Sequence, residues 1–228
     1  MAYSISIVIP VYNEEKNIGA TIKRLVPVLK KNFSDYEIII VESSSTDNSR
    51  AIVDNIAGKN KKIIVIHQNK KMGYSNAIRT GFNECKKELS IFVDCDLPYD
   101  FKYLADASKY MKDYDAVLGY RVGKRGSLGR LIMSKGANIL AKLLFNIKVR
   151  DVGFPFKMIR TRLLKNLNLV SNNSFIREEI LIELRKHKAR VNEIPILYRA
   201  RVEGKSKFSN FYRTVKGHLS DIFNYMRK

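Results

Sequence analysis

The stretch of sequence that decides the fold lies just before the midpoint of the chain and reads Leu89-Ser-Ile-Phe-Val-Asp-Cys-Asp-Leu-Pro-Tyr-Asp100. Residues 89–93 are almost all apolar, which predicts a short buried strand. Asp94 and Asp96 follow at its carboxyl end, where open α/β sheets bind their ligands. Two carboxylates placed there suit Mg²⁺ or Mn²⁺, held together with the phosphates of a substrate. The same pair could instead cap a helix or shape a turn, so the rest of the chain has to decide.

Short apolar stretches alternate with amphipathic stretches through the first half of the chain. This alternation predicts an α/β fold, with a Rossmann-like, mostly parallel central sheet and helices on both faces. Right-handed crossovers bring the loops that follow the strands to one edge of the sheet, where they form a nucleotide-sized crevice. The glycine spacing of a dinucleotide site is absent after the first strand, so NAD is not expected. The expected strands are 5–9, 36–41, 63–66, 89–93 and 116–119, and the crevice loops are 12–14, 42–47, 70–71 and 94–96.

The second half of the chain is less regular. An apolar run predicts an edge strand at 154–159, limited by Pro155, and a later strand at 191–197 is expected to be broken by Pro195. The loop at 120–130 carries three glycines and four cations. It is either a segment that contacts phosphates or a solvated surface loop. Helices are expected at 131–145 and 176–188.

The formal net charge of +20 is concentrated in the second part of the chain. Residues 1–100 contain 14 Lys and Arg against 12 Asp and Glu, whereas residues 101–228 contain 28 against 10. This asymmetry indicates an anionic partner, for which nucleic acid, anionic lipid headgroups and lipid-linked phosphates are the candidates. From residue 208 an apolar stripe at helical spacing, with basic neighbours, predicts an amphipathic helix. That helix would lie in a membrane interface or pack on the domain.

Several classes of protein are not expected from the composition. No apolar run reaches the roughly 18 residues of a membrane-spanning helix, and the first residues do not resemble a signal peptide. Cys85 and Cys95 lack metal-ligand spacing, so reduced thiols in the cytosol are expected.

The order of these motifs resembles the family 2 inverting glycosyltransferases with the GT-A fold, and within them the dolichol-phosphate mannose synthase group. The resemblance covers nearly the whole chain to about residue 207, and its ordered set of motifs is highly specific. Its pieces are Ile7-Val-Ile-Pro-Val-Tyr-Asn-Glu-Glu15, Glu37-Ile-Ile-Ile-Val-Glu-Ser-Ser-Ser-Thr-Asp47, Gly73-Tyr-Ser-Asn-Ala-Ile-Arg-Thr-Gly81, Val93-Asp-Cys-Asp-Leu97, Gly119-Tyr-Arg121, Ser134-Lys-Gly-Ala-Asn138 and Gly204-Lys-Ser-Lys207. Two departures stand out: Glu42-Ser43 replaces a usual pair of Asp residues, and Asp151 is followed by Val-Gly-Phe-Pro-Phe156.

The resemblance implies one catalytic domain at 1–207 and an amphipathic helix at 208–228. Within the domain, 1–100 would bind the nucleotide sugar and 101–207 the acceptor. The implied reaction moves a sugar from a donor of the GDP-mannose or UDP-glucose type to a polyprenyl (dolichyl) phosphate, with Mg²⁺ or Mn²⁺ as cofactor. The protein would be cytoplasmic and peripheral on the cytoplasmic face of a membrane with an anionic surface. A membrane-anchoring partner is possible, and nucleic acid is not an expected partner.

The resemblance also implies roles for individual residues. Asp96 would bind the cation directly, and Asp94 would contact ribose or metal-bound water. Glu179 would act as a general base, or else place a favourable charge at the start of its helix. The donor site would be lined by Pro10, Tyr12, Glu14, Glu42, Cys95 and Arg121, and the acceptor phosphate would meet Arg130, Ser134 and Arg201.

Two alternatives remain open from the sequence. The acceptor could be a sugar hydroxyl of a glycan or glycolipid, which would need a general base, whereas an acceptor phosphate is already ionised at pH 7. The chain could also be a non-enzymatic α/β module that binds nucleic acid, although no motif of such modules is present.

Overall fold

The computed structural model describes residues 2–95, 99–123, 144–172, 175–198, 220–222, 225 and 227. The described residues contain one seven-stranded sheet in the order β3-β2-β1-β4-β6-β5-β7. Neighbouring strands run parallel except where β6 pairs with β4 and β5. The predicted α/β architecture with a mostly parallel sheet is therefore confirmed. The strands are β1 Ser4–Val11, β2 Asp35–Glu42, β3 Ile63–His67, β4 Leu89–Phe92, β5 Ala116–Val122, β6 Lys157–Arg160 and β7 Val191–Leu197.

Helices cover both faces of this sheet because successive strand residues point to opposite sides. In β1, Ile7 belongs to one buried cluster and Val8 to the other. Helices α1, α2 and α4 contribute to the first cluster, and α3 and α6 to the second. The helices are α1 Ile18–Asn32, α2 Ser49–Lys59, α3 Tyr74–Glu84, α4 Lys102–Ser108, α5 Thr161–Leu164 and α6 Ile176–Lys186, with a 3₁₀ turn at Lys109–Lys112.

The prediction of an edge strand at 154–159 is wrong. The strand is shorter, Lys157–Arg160, and lies inside the sheet between β4 and β5. Pro155 precedes the strand, so it removes no hydrogen bond from the ladder and does not force the strand to an edge. The first residue, Lys157, is fully buried and donates from Nζ to the carbonyl oxygens of Val152 and Phe154.

The expected break at Pro195 is also wrong, because β7 runs unbroken from Val191 to Leu197. Strand β7 is at the edge of the described sheet and pairs only with β5 there. Pro195 is exposed in this strand. An edge strand tolerates proline because one side of its backbone needs no partner strand.

The described residues near the end of the chain lie against the domain. Tyr225 donates from its hydroxyl to Glu183 Oε1 at 2.6 Å, and its ring packs edge-on against Phe145 and Phe175. Ile222 packs on the same buried cluster. The expected boundary between residues 207 and 208 lies outside the described residues. Within the described ranges, no helix has both the length and the apolar composition needed to cross a bilayer.

Candidate active site at the carboxyl edge of the sheet

The loops after β1 and β2 are joined by a network of hydrogen bonds. The two strands end in register, with Val11 opposite Glu42, and Ser43 N donates to Val11 O at 2.9 Å. Asn13 has a φ of 53°, in the left-handed region that Asn tolerates better than most residues. This turn lets Asn13 Oδ1 accept from Thr46 N at 2.8 Å. The two loops therefore form one wall at the carboxyl edge of the sheet.

Glu42 is completely buried at the end of β2. Its Oε1 accepts from the backbone N–H of Ser45, and its Oε2 lies 3.1 Å from His67 Nδ1. The other nitrogen of His67 lies 2.9 Å from Asp54 Oδ1. Burial raises the pKa of Glu42, but the hydrogen bonds from Ser45 and His67 outweigh it and leave the pKa below its usual range. Glu42 therefore shapes the loop, and its predicted contact with the donor stays a prediction.

The other predicted donor residues of this wall lie around the same edge. Pro10 pairs with Val41 near the end of β1, and Glu14 Oε2 accepts from Asn17 Nδ2 at 2.8 Å. Lys71, from the loop after β3, places its ammonium 3.7 Å from the centre of the Tyr12 ring. This close cation–π contact connects the first and third crevice loops.

Asp94 lies two residues after β4 and is bound by two side chains from different helices. Its Oδ1 accepts from the Tyr74 hydroxyl at 2.7 Å, and its Oδ2 lies 3.4 Å from Arg177 Nη2. Arg177 Nη2 also donates to the Tyr74 hydroxyl at 3.1 Å. The three side chains form a closed triangle, which we call the Asp94 triad. About 20% of the Asp94 side chain is exposed, so the carboxylate can still meet a ligand.

Arg177 of the Asp94 triad and its neighbour Glu178 carry buried polar atoms without a partner. Within the described chain, the buried side-chain atoms that have no hydrogen-bond partner are Arg177 Nε, Glu178 Oε2, Arg160 Nε and the Tyr99 hydroxyl. Such atoms are uncommon in folded proteins, and a missing water or ligand is one usual explanation. Burial raises the pKa of Glu178 and lowers the pKa of Lys157, although the charge of each group opposes the shift of the other. Ionisable groups perturbed by burial are typical of functional sites.

Arg121, near the end of β5, is held by Asp151. Its Nε donates to Asp151 Oδ2 at 2.6 Å and its Nη2 donates to Oδ1 at 2.9 Å. The guanidinium also lies 5.7 Å from the Phe154 ring centre and 5.9 Å from that of Tyr198. Burial raises the pKa of Asp151, but the hydrogen bonds and charge of Arg121 outweigh it, so the pKa lies below its usual range.

Glu179 holds the loop that precedes α6. Its Oε1 accepts from Val170 N at 2.7 Å, and its Oε2 accepts from Ser171 Oγ at 2.6 Å and Ser171 N at 3.1 Å. The side chain is fully buried. These contacts give Glu179 a structural role in shaping the loop. Its predicted role as a base stays untested.

The remaining predicted site residues differ in what the structure describes. Cys95 is buried, and its carbonyl accepts from Thr21 Oγ1 at 2.7 Å, which ties the segment after β4 to α1. Asp96, Arg130, Ser134 and Arg201 lie outside the described residues. Asp94 offers hard carboxylate oxygens, which fit Mg²⁺ or Mn²⁺. The described ranges contain no group of three or more His, Cys, Asp or Glu side chains that could hold a metal.

Four residues at or near this site were not predicted from the sequence as site residues: Tyr74, Arg177, Glu178 and Lys157. Arg177 and Glu178 are in the first turn of a helix, where charged residues usually face solvent. The available signal was a lysine within the apolar run Phe154-Pro-Phe-Lys-Met-Ile159, because a buried lysine needs nearby acceptors or an acid. No comparable signal identified Arg177, since its contact with Asp94 joins residues 83 positions apart.

Solved structures similar to this chain share its architecture. Glucosyl-3-phosphoglycerate synthase from Mycobacterium tuberculosis, in complex with Mn²⁺, UDP and glucosyl-3-phosphoglycerate, matches with a TM-score of 0.74 and 16% identity. The match covers 97% of this chain and 79% of that one. The same enzyme in complex with Mn²⁺, UDP and phosphoglyceric acid matches with a TM-score of 0.75 and 16% identity over 97% and 78% of the two chains. This likeness identifies the GT-A fold expected from the sequence.

Two curated relatives are more similar in sequence. The undecaprenyl-phosphate 4-deoxy-4-formamido-L-arabinose transferase of Yersinia pestis (strain Pestoides F) is 30% identical over 210 residues, which are 90% of this chain and 62% of the relative. The enzyme of the same name from Edwardsiella ictaluri (strain 93-146) is 29% identical over 209 residues, with coverage of 90% and 62%. The chain thus spans less than two thirds of the length of these relatives.

The family model for glycosyl transferase family 2 matches residues 6–185. This range includes most of β1, all of β2 to β6, most of α6, the β1 and β2 loops and the Asp94 triad. The match covers well over half of the chain. The protein belongs to glycosyl transferase family 2.

Proposed function

We propose that this protein transfers a sugar from a nucleotide-sugar donor to a polyprenyl phosphate, with inversion at the anomeric carbon. The observation that carries the proposal is the similarity of 90% of the chain to transferases whose name specifies undecaprenyl phosphate. The donor types to test first are GDP-mannose and UDP-glucose, followed by an activated 4-deoxy-4-formamido-L-arabinose.

The donor would bind against the wall formed by the loops after β1 and β2. Pro10, Tyr12, Glu14 and Glu42 are at this edge, and Cys95 is next to the Asp94 triad in sequence. Asp94 and Asp96 would hold Mg²⁺ or Mn²⁺. The cation supplies positive charge to the diphosphate that leaves as the glycosidic bond breaks. Arg121, fixed by Asp151, adds a second positive charge for the same leaving group.

A phosphate acceptor fits the contacts of Glu179. Both carboxyl oxygens of Glu179 already accept hydrogen bonds from the loop at 170–171. An acceptor phosphate is ionised at pH 7, so its oxygen can attack without losing a proton to a base. Arg130, Ser134 and Arg201 would bind this phosphate. A hydroxyl acceptor would instead require a carboxylate available to remove its proton.

The proposed place of action is the cytoplasmic face of a membrane, where the protein would be peripheral. The excess of Lys and Arg after residue 100 supports attraction to an anionic surface, at about 1 kcal/mol for each cation near the lipid. The basic side chains of the segment 208–228 would contribute to this contact, while Ile222 and Tyr225 of the same segment pack on the domain. A membrane-anchoring partner would strengthen it.

A donor screen tests the proposed activity. The full chain is incubated with each nucleotide sugar, extracted polyprenyl phosphate and Mg²⁺ or Mn²⁺, and lipid-linked sugar is measured. We expect product with at least one donor, and loss of metal-dependent turnover in Asp96→Asn with the circular dichroism spectrum unchanged. Absence of lipid-linked product with every donor, or full activity of folded Asp96→Asn, would contradict the proposal.

A further inference from the structure

The carboxylate of Asp94 already has a positively charged neighbour. Arg177 Nη2 lies 3.4 Å from Asp94 Oδ2, and both groups contact the Tyr74 hydroxyl. Two opposite charges at this distance attract each other, and the attraction is stronger when both groups are partly withdrawn from water. About a quarter of the Arg177 side chain is exposed, and about a fifth of that of Asp94. Asp94 thus has a fixed positive charge beside it before any metal cation binds.

Arg177 is held in place on several sides. Its guanidinium lies 5.3 Å from the centre of the Tyr74 ring, and Tyr74 packs edge-on against Phe92 of β4. Its Nε is buried and has no partner within the described residues. These contacts place the guanidinium of Arg177 beside Asp94, so a second cation approaching Asp94 would meet its positive charge.

The protein itself offers few ligands to a divalent cation at this edge. Within the described ranges no group of three acidic, His or Cys side chains could hold one, and Asp96 is the additional carboxylate expected from the sequence. Mg²⁺ commonly binds through one or two carboxylates together with the phosphates of a substrate. A diphosphate would supply the further oxygen ligands that the divalent cation needs. It would also supply negative charge that balances Arg177.

We propose that Arg177 is a built-in counter-cation of Asp94, which keeps the affinity of the nucleotide-free protein for divalent cations low. The cation then binds together with a nucleoside diphosphate. This inference rests on the proposed use of a nucleotide-sugar donor. Arg177 then acts through Asp94, and the coupling between cation and nucleotide binding becomes a property of the Asp94 triad.

The inference predicts a coupling between the two ligands. Because coupling free energies are reciprocal, a diphosphate that tightens cation binding must itself bind more tightly when the cation is present. Removing the charge of Arg177 should raise cation affinity in the absence of nucleotide and reduce this coupling. If Arg177 only shaped the site, removing its charge would instead lower the affinity for the cation, since a disordered Asp94 carboxylate would bind the cation more weakly.

The test measures Mn²⁺ binding to the full chain by electron paramagnetic resonance, with and without GDP or UDP. We expect Arg177→Met to bind Mn²⁺ roughly tenfold more tightly than the unmodified protein when nucleotide is absent, from the Coulomb energy at this range. Arg177→Lys keeps the charge and should retain weak binding. Arg185→Met removes the same charge from the last turn of the same helix and should change nothing.

Weaker or unchanged Mn²⁺ binding by Arg177→Met, relative to Arg185→Met, would overturn the inference. Arg177→Gln repeats the charge removal with a side chain that can still hydrogen-bond, in case the methionine variant fails to fold. These measurements involve no acceptor. If polyprenyl phosphate proves not to be a substrate but Arg177→Met tightens Mn²⁺ binding, the proposed function fails and this inference stands.

Discussion

Arg121 and Asp151 form a two-pronged ion pair, with Nε 2.6 Å from Oδ2 and Nη2 2.9 Å from Oδ1. The pair joins the end of β5 to the segment that precedes β6. Two parallel hydrogen bonds fix the plane of the guanidinium as well as its position. Asp151 is therefore suited to orient the Arg121 guanidinium, which the proposed reaction places near the donor phosphates.

Asp151→Asn should lower both stability and turnover. The amide can accept only one of the two hydrogen bonds, so we expect a loss of about 1–3 kcal/mol in the free energy of unfolding. Turnover should fall because Arg121 is no longer held in one orientation. The control is Asp106→Asn, which removes an exposed partner of Lys109 and should leave stability almost unchanged, because surface ion pairs contribute little. Equal stability and activity of the two variants would contradict this role of Asp151.

The same pair predicts how stability depends on acidity. The pKa of Asp151 is depressed in the folded protein. The contribution of the Arg121–Asp151 pair to the free energy of unfolding is therefore fully present above the unfolded pKa of about 3.9. That contribution is lost as the pH falls through the lower, folded value. Denaturant unfolding between pH 6 and about 3 should therefore show a smaller loss of stability for Asp151→Asn than for the unmodified protein. Parallel pH profiles would argue against the pair.

The buried contacts of Glu179 predict a loss of stability from Glu179→Gln. The amide nitrogen cannot accept from the backbone of the loop at 170–171, so at least one donor loses its partner, at about 1–3 kcal/mol. Turnover of the folded fraction should fall only modestly, whereas removal of an essential base would slow it by roughly 10²–10⁴-fold. Glu84→Gln, on an exposed position at the end of α3, is the control. A stable variant with a large loss of turnover would restore the general-base role.

Gly73 is required immediately before Tyr74 of the Asp94 triad. Its φ is +95°, and a Cβ built there would lie 2.4 Å from Asn172 O. Gly73→Ala should cost about 1–3 kcal/mol in stability from backbone strain, and should weaken Mn²⁺–nucleotide binding as Tyr74 shifts. In α2, a Cβ at Gly58 meets nothing within 4 Å, so Gly58→Ala should be neutral or stabilising by about 1 kcal/mol. Thermal unfolding of both variants measures the contrast.

The fold was predictable where the local pattern and the final environment agree. Strands β1, β2 and β4 are buried on both faces, which produces the continuous apolar runs read from the sequence. The position of β6 was not predictable, because its place between β4 and β5 depends on antiparallel pairing across more than 30 residues. Pro195 misled the prediction of β7 because the sequence does not show which strand is at an edge.

The site was predictable only in part. Asp94 stood out because it follows a buried strand directly, and the family expectation is confirmed by the match over residues 6–185. Its neighbours Tyr74 and Arg177 come from two helices on the same face of the sheet, so their meeting depends on tertiary packing. The roles expected of Arg121 and Glu42 stay predictions. The structure adds the ion pair of Arg121 with Asp151 and the contact of Glu42 with His67, neither of which was predicted from the sequence.

The most direct test of the account offers three acceptors to the same protein with one active donor and Mn²⁺. These are a polyprenyl phosphate, the matching free polyprenol and a simple sugar. We expect transfer to the polyprenyl phosphate alone, because its phosphate oxygen is already ionised and needs no base. Transfer to the sugar hydroxyl without transfer to the phosphate would contradict the proposed acceptor and leave the fold and family unchanged.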